Sequence, residues 1–249
     1  MYSINLRYFN HLQGRKIAFL LLLCCSLSAV YAQRASSNYN YLDFNQKPYY
    51  FGITLGYNSN NFQVYRSKSF FQNDSTLIVN GVRGPGFNLG VVTNLKIGEY
   101  FDIRFLPTLS FAEKRVSYTK PKAAFPKEDP FEAVLVELPF QVRYKSAPYQ
   151  DKRLFVIAGA KYSYDVASNS KTRQKKAGEL GSINISPTDF QLETGVGMQF
   201  YFPFFIFSPE IKFSQGLNNI LIYDKNLYKS NILEKVYSRA FTISFHFEG

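Results

Sequence analysis

The stretch "FQLETGVGMQFYFPFFIFSPEIKFSQG", Phe190 to Gly216, alternates apolar and polar residues within each of its halves. Phe190, Leu192, Val196, Met198, Phe200 and Phe202 oppose Gln191, Glu193, Gly195, Gly197 and Gln199. Phe205, Phe207, Ile211 and Phe213 oppose Ser208, Glu210, Lys212 and Ser214. A period of two puts these sets on opposite faces of extended strands, one apolar and one charged.

Six further segments repeat the pattern: Tyr49–Tyr57, Phe87–Ile97, Phe101–Phe111, Glu132–Tyr144, Leu154–Val166 and Arg239–Phe247. Each is about 9 to 13 residues, longer than the usual globular strand and suited to crossing a bilayer at a tilt. Long and short connections alternate. Asn58–Gly86, Glu113–Phe131, Ala167–Asp189 and Gly216–Ser238 are long; Gly98–Tyr100, Lys145–Arg153 and Pro203–Phe204 are short. This predicts an all-β, eight-stranded antiparallel transmembrane β-barrel with short periplasmic turns and long outer loops. Backbone groups in lipid must pair internally, so such a sheet has to close. A soluble barrel would turn the apolar face inward, and so many Phe side chains exceed the interior of one small barrel. With 25 Phe and 19 Tyr, disorder is excluded as well.

The N-terminus reads as a separate object. Arg7, Arg15 and Lys16 precede an apolar run from Ile17 to Leu27, and Val30-Tyr31-Ala32 supplies small residues at the positions a signal peptidase reads. Residues 1–32 are therefore expected to be a cleaved signal peptide, too short to span a membrane. Cys24 and Cys25 leave with it, so the exported chain has no thiol for disulfide, metal or nucleophile. Its charge becomes +11 − 3 = +8, which suits anionic lipid better than nucleic acid. Residues 33–48, polar and Asn-rich, are expected to be a flexible periplasmic tail, and residues 49–249 the outer-membrane barrel.

The inward faces carry both signs. Arg104, Arg143, Lys161 and Lys212 stand against Asp102, Glu137, Asp165, Glu193 and Glu210. Unpaired buried charge is costly, so these are expected to form a lumen ion-pair network, a plug more than a water-filled pore. Pro107, Pro139 and Pro209 fall inside strands, where proline removes a ladder hydrogen bond, so bulges or slightly shifted strand boundaries are expected there.

Catalytic patterns are weak. His246 and Ser244 lie two apart on one strand face, about 7 Å, beyond hydrogen-bond reach for a hydrolase pair. Glu193 and Glu210 could act as paired carboxylates, but inward cations favour salt bridging. One histidine in the exported chain and scattered carboxylates make no metal pattern. "SKTRQKKAG" holds Lys171, Arg173, Lys175 and Lys176, a basic run able to contact lipid phosphate or an acidic partner, or simply a solvated loop. "VRGPG" reads as a glycine turn, without the strand–loop–helix context of a phosphate cradle.

The stretches "FDIRFLPTLSF", "ELPFQVRYKS", "DKRLFVIAGAKYSYDVASN", the segment Phe190–Gly216 and the ending "SRAFTISFHFEG" resemble the PorT family over Tyr49 to Gly249. The resemblance implies an outer-membrane barrel required for type IX protein secretion, and for gliding motility in gliding species. It implies other secretion components and outer-membrane lipid as partners. Neither a catalytic role, a cofactor, a nucleic acid nor a small-molecule substrate is expected. The alternative is a generic small barrel, a structural anchor or narrow porin. Many bacterial barrels end on an aromatic that the insertion machinery reads; here Phe247 is followed by Glu248 and Gly249.

Overall fold

The computed structural model describes residues 40–67, 78–119, 127–166, 184–224, 230 and 232–249. A short helix, α1 (Tyr41–Gln46), is followed by strands β1 (Tyr49–Arg66), β2 (Ile78–Ile97), β3 (Phe101–Phe105), β4 (Thr108–Thr119), β5 (Lys127–Lys145) and β6 (Lys152–Asp165). Then come β7 (Asn184–Ile185), β8 (Thr188–Tyr201), β9 (Ile206–Gly216), β10 (Leu221–Ile222) and β11 (Leu233–Glu248).

The sheet closes on itself. β1 pairs antiparallel with β2 on one side and with β11 on the other. The ring continues through β3 and β4, β5, β6, β8 and β9. β3 and β4 both lie between β2 and β5, so nine strands make eight staves. The outward alternates, among them Phe51, Ile53, Leu89, Phe140, Leu154, Val196, Ile211 and Phe245, are large, apolar and exposed. Such a continuous apolar girdle belongs against lipid. No helix among the described residues is long and apolar enough to cross a membrane.

The expected proline bulges are absent. Thr93↔Phe105 and Gly90↔Thr108 keep one register across Pro107, as do Phe105↔Phe140 and Thr108↔Glu137 on the other side. Pro139 and Pro209 pair in register with Lys161 and Phe245. Each proline loses a donor but keeps its acceptor. Pro107 O accepts from Val91 N at 3.0 Å, and Pro139 O from Leu106 N at 3.1 Å. A missing N–H interrupts a ladder without forcing an extra residue into it.

A register shift falls instead between Arg83 and Gly86 on β2, where Gly84 and Pro85 oppose one β4 residue, Glu113. "VRGPG" is therefore a bulge inside a strand, not a turn. A Cβ on Gly84 would collide with the Glu113 carbonyl, which explains the glycine.

Several strands run longer than predicted. β1 has 18 residues and β2 has 20, so much of the Asn58–Gly86 "loop" is paired sheet. Asn58↔Gly86, Ser59↔Pro85 and Asn60↔Gly84 continue the ladder above the apolar girdle. Polar outward residues there erase the apolar half of the period, and a sequence reading sees a loop. At the opposite end Gly98, with φ +71°, makes the tight β2–β3 turn, a left-handed conformation that favours glycine.

Candidate functional site

The lumen is the distinctive feature of the barrel, and it is filled with charge. Near the periplasmic end, Arg143 contacts the Asp102 carboxylate at 2.6 Å and Lys145 takes its other oxygen at 2.6 Å. The Arg143 guanidinium also meets the Tyr50 hydroxyl, donates to Asn94 Oδ1 at 3.0 Å and stacks over the Phe155 ring. Arg104 bridges Glu210 at 2.7 Å and Glu248 at 3.1 Å, and Glu248 lies 3.5 Å from Arg143. Further out, Lys161 spans Glu137 at 3.1 Å and Glu193 at 3.3 Å. Lys212 joins the two layers, 4.0 Å from Glu193 and 3.7 Å from Glu210. Gln141 and Ser214 donate to Glu193 at 2.7 and 2.9 Å.

Five cations (Arg104, Arg143, Lys145, Lys161, Lys212) thus meet five anions (Asp102, Glu137, Glu193, Glu210, Glu248). All ten are buried. Balanced charge, with each carboxylate against at least one cation, lowers the cost of holding ionised groups in a desolvated interior.

Small residues make the crossing geometry possible. Gly197 leaves the space that Phe155 occupies; a Cβ there would overlap the ring. Gly195 sits against the Lys212 stem in the same way.

Both ends of this column are covered. At the periplasmic end, residues 41–46 of the supposed flexible tail are helical, and Phe44 packs with Tyr50, Tyr201 and Ile206. Asp151 accepts from Tyr41 N at 3.2 Å and Asn40 Nδ2 at 3.3 Å, while the Lys96 ammonium reaches the Phe44 carbonyl. The expectation of a flexible tail fails over these residues because Phe44, only 4% exposed, gives a short polar segment an apolar anchor. Replacing Phe44 with Ala should cost about 3 kcal/mol of that packing. The check is chymotryptic cleavage after Tyr41, which the variant should permit and the wild type resist. Equal protection would mean that the Asp151 hydrogen bonds alone hold the helix.

At the outer end, Phe62, Val116, Ile220, Ile232, Leu233 and Val236 form a buried apolar cluster. β7 and β10 pair as a small separate sheet beside it, with Leu221 opposite Ile185. Ser186 N donates to Ile220 O at 2.8 Å and Ile220 N to Val236 O at 3.0 Å, tying the connections to the wall. Below the cluster lies a cavity of about 40 Å³, walled in part by Lys114, Ser163, Asp165 and Asp189. It has room for about one water molecule.

Residues 31–221 match the outer membrane protein beta-barrel domain. The chain belongs to that family. This family member is an integral outer-membrane protein. OprG from Pseudomonas aeruginosa is 11% identical, with 81% of this chain and 95% of OprG covered, at a TM-score of 0.42. Neisserial surface protein A is 11% identical, covering 79% and 96%, at 0.38. Ail of Yersinia pestis is 12% identical, covering 82% and 100%, at 0.35. No curated protein matches the sequence.

Of the predicted lumen residues in this family member, Arg104, Glu137, Arg143, Lys161, Glu193, Glu210 and Lys212 come together in one column. Asp165 is buried one layer further out, on the small cavity's wall. Lys171, Arg173, Lys175 and Lys176 lie outside the described residues. His246 is fully buried, with Nε2 3.5 Å from Glu210 and Ser208 opposite it across the ladder. Among the described residues no group of three or more His, Cys, Asp or Glu is placed to hold a metal ion.

Sequence reasoning missed Tyr50, Lys145, Phe155 and Glu248, all inward and buried. The signal was available. Each continues the inward parity of its strand: Tyr50 before Gly52, Lys145 after Arg143, Phe155 before Lys161, and Glu248 after His246.

Proposed function

We propose that this outer-membrane barrel is a non-enzymatic component of type IX protein secretion that acts as a docking scaffold and not as a conduit. The observation that carries the second half is the closed lumen: ten paired charges capped by α1 below and an apolar cluster above. Such an interior offers no path to a folded cargo, so contact surfaces must lie at the rims and connections. The secretion assignment is supported by the resemblance of long strings, such as "DKRLFVIAGAKYSYDVASN" and "SRAFTISFHFEG", to the PorT family. In this reading residues 1–32 are removed on export, and the 171–176 basic run is one candidate contact for a secretion component or lipid. Gliding motility would depend on the chain in species that glide. A narrow porin is disfavoured by the filled lumen.

A strain lacking the gene provides the test. A cargo with a C-terminal sorting domain should accumulate in the periplasm, with little outside the cell and normal leakage of periplasmic marker. Cargo that still reaches the surface would remove the secretion role and leave a structural barrel.

A further inference from the structure

Above the girdle, the outer wall is notched where β9 stops at Gly216 while its neighbour β11 runs on to Leu233. The notch is a groove of about 470 Å³ lined by Gln63, Tyr65, Gln215, Lys235 and Tyr237, with Glu234 at its edge. Phe241 and Phe213 face each other across β11 and β9, and Arg239 and Gln215 are the next outward pair. Two residues along a strand is about 7 Å. Arg239 therefore stands one step beyond the last apolar pair, at the depth of lipid headgroups.

The arginine is fixed in place. Its Nε donates to Gln215 Oε1 at 3.0 Å and its Nη2 to Gln63 Oε1 at 2.7 Å, and it lies over the Phe213 ring. These two bonds leave three of its five N–H donors for a ligand. Tyr65 and Tyr237 meet edge to face at 5.7 Å between centroids, a rigid aromatic wall. A register shift between Tyr65 and Arg66 makes Glu234 an extra residue on β11. The resulting bulge puts Glu234 and Lys235 side by side, 3.9 Å apart, so their charges offset, and among the described residues Arg239 has no carboxylate against it.

A planar fork for phosphate stands beside the groove, braced by Gln63 and Gln215, and tyrosine rings for a sugar face follow one and two steps further along the same wall. We propose that this groove binds the phosphorylated sugar headgroup of an outer-leaflet glycolipid, one molecule per barrel.

Native mass spectrometry of the full chain in detergent tests this with three probes: diphosphoryl lipid A, the same glycolipid after phosphate removal, and free glucosamine 1-phosphate. The expected result is one retained lipid A per chain, with the dephosphorylated lipid about tenfold weaker. Arg239→Gln and Tyr237→Ala should each weaken binding by about tenfold, while Lys152→Gln at the periplasmic end should not. Heat-modifiable migration on gels verifies that each variant is folded. Equal retention by Arg239→Gln, or of the dephosphorylated lipid, overturns the proposal. So does free glucosamine 1-phosphate binding as tightly as the lipid, which would make the groove a soluble-sugar site.

Discussion

Replacing Arg104 with Met is expected to cost the barrel about 3 to 5 kcal/mol, read as a lower urea midpoint in phospholipid vesicles. Among the described residues Arg104 is the only direct partner within 3.2 Å for two buried carboxylates, Glu210 at 2.7 Å and Glu248 at 3.1 Å. Methionine keeps the length of the stem and removes the charge, leaving both anions in a site fully withdrawn from solvent. Lys212 at 3.7 Å from Glu210 and Arg143 at 3.5 Å from Glu248 can absorb part of the loss, which favours the lower end of the range. The double variant Arg104→Met with Glu210→Gln should then cost less than the sum of the singles, because removing one stranded anion removes its desolvation penalty. An unchanged midpoint for the single variant would mean that water screens these pairs and the column is wet.

That column was legible to an unusual degree, for a simple reason. Period two is strict in a barrel wall, so one inward residue fixes the face of every other on its strand. Arg143 and Glu193 needed no structure to be placed inward. What parity cannot say is which charges meet, since that depends on stagger around the ring: Arg104 on β3 reaches Glu210 on β9, far away in sequence. Parity also fails where the pattern loses contrast. Asn58 to Gln63 is polar at nearly every position, so the strand there has the sequence character of a loop. α1 was missed because six helical residues with one apolar anchor carry no periodic signal, and its anchor packs on Tyr50 of the next strand and on Tyr201 and Ile206 far along the chain. The bulge expectation failed differently, while at Pro107 the shifted boundary is found, between β3 and β4. It treated a missing donor as an extra residue, and only the latter shifts register.

A planar bilayer containing the wild-type chain should stay electrically silent, and so should a chain truncated to remove residues 33–47. Three barriers stand in series: α1, the ion-pair column and the outer apolar cluster. Removing the helix unseals only the first. A permeating ion would still have to separate pairs such as Arg143–Asp102 and Lys161–Glu137 within a buried interior, and stranding a charge there costs several kcal/mol. Each 1.4 kcal/mol is about a tenfold loss of ion flux, so the column alone should hold conductance below detection. Discrete current steps in the truncated chain would show instead that the helix is the seal and that the paired charges line a passable route. Steps in the wild type would go further and return the narrow-porin reading, because docking at the rims would then no longer be the only use left to a closed barrel.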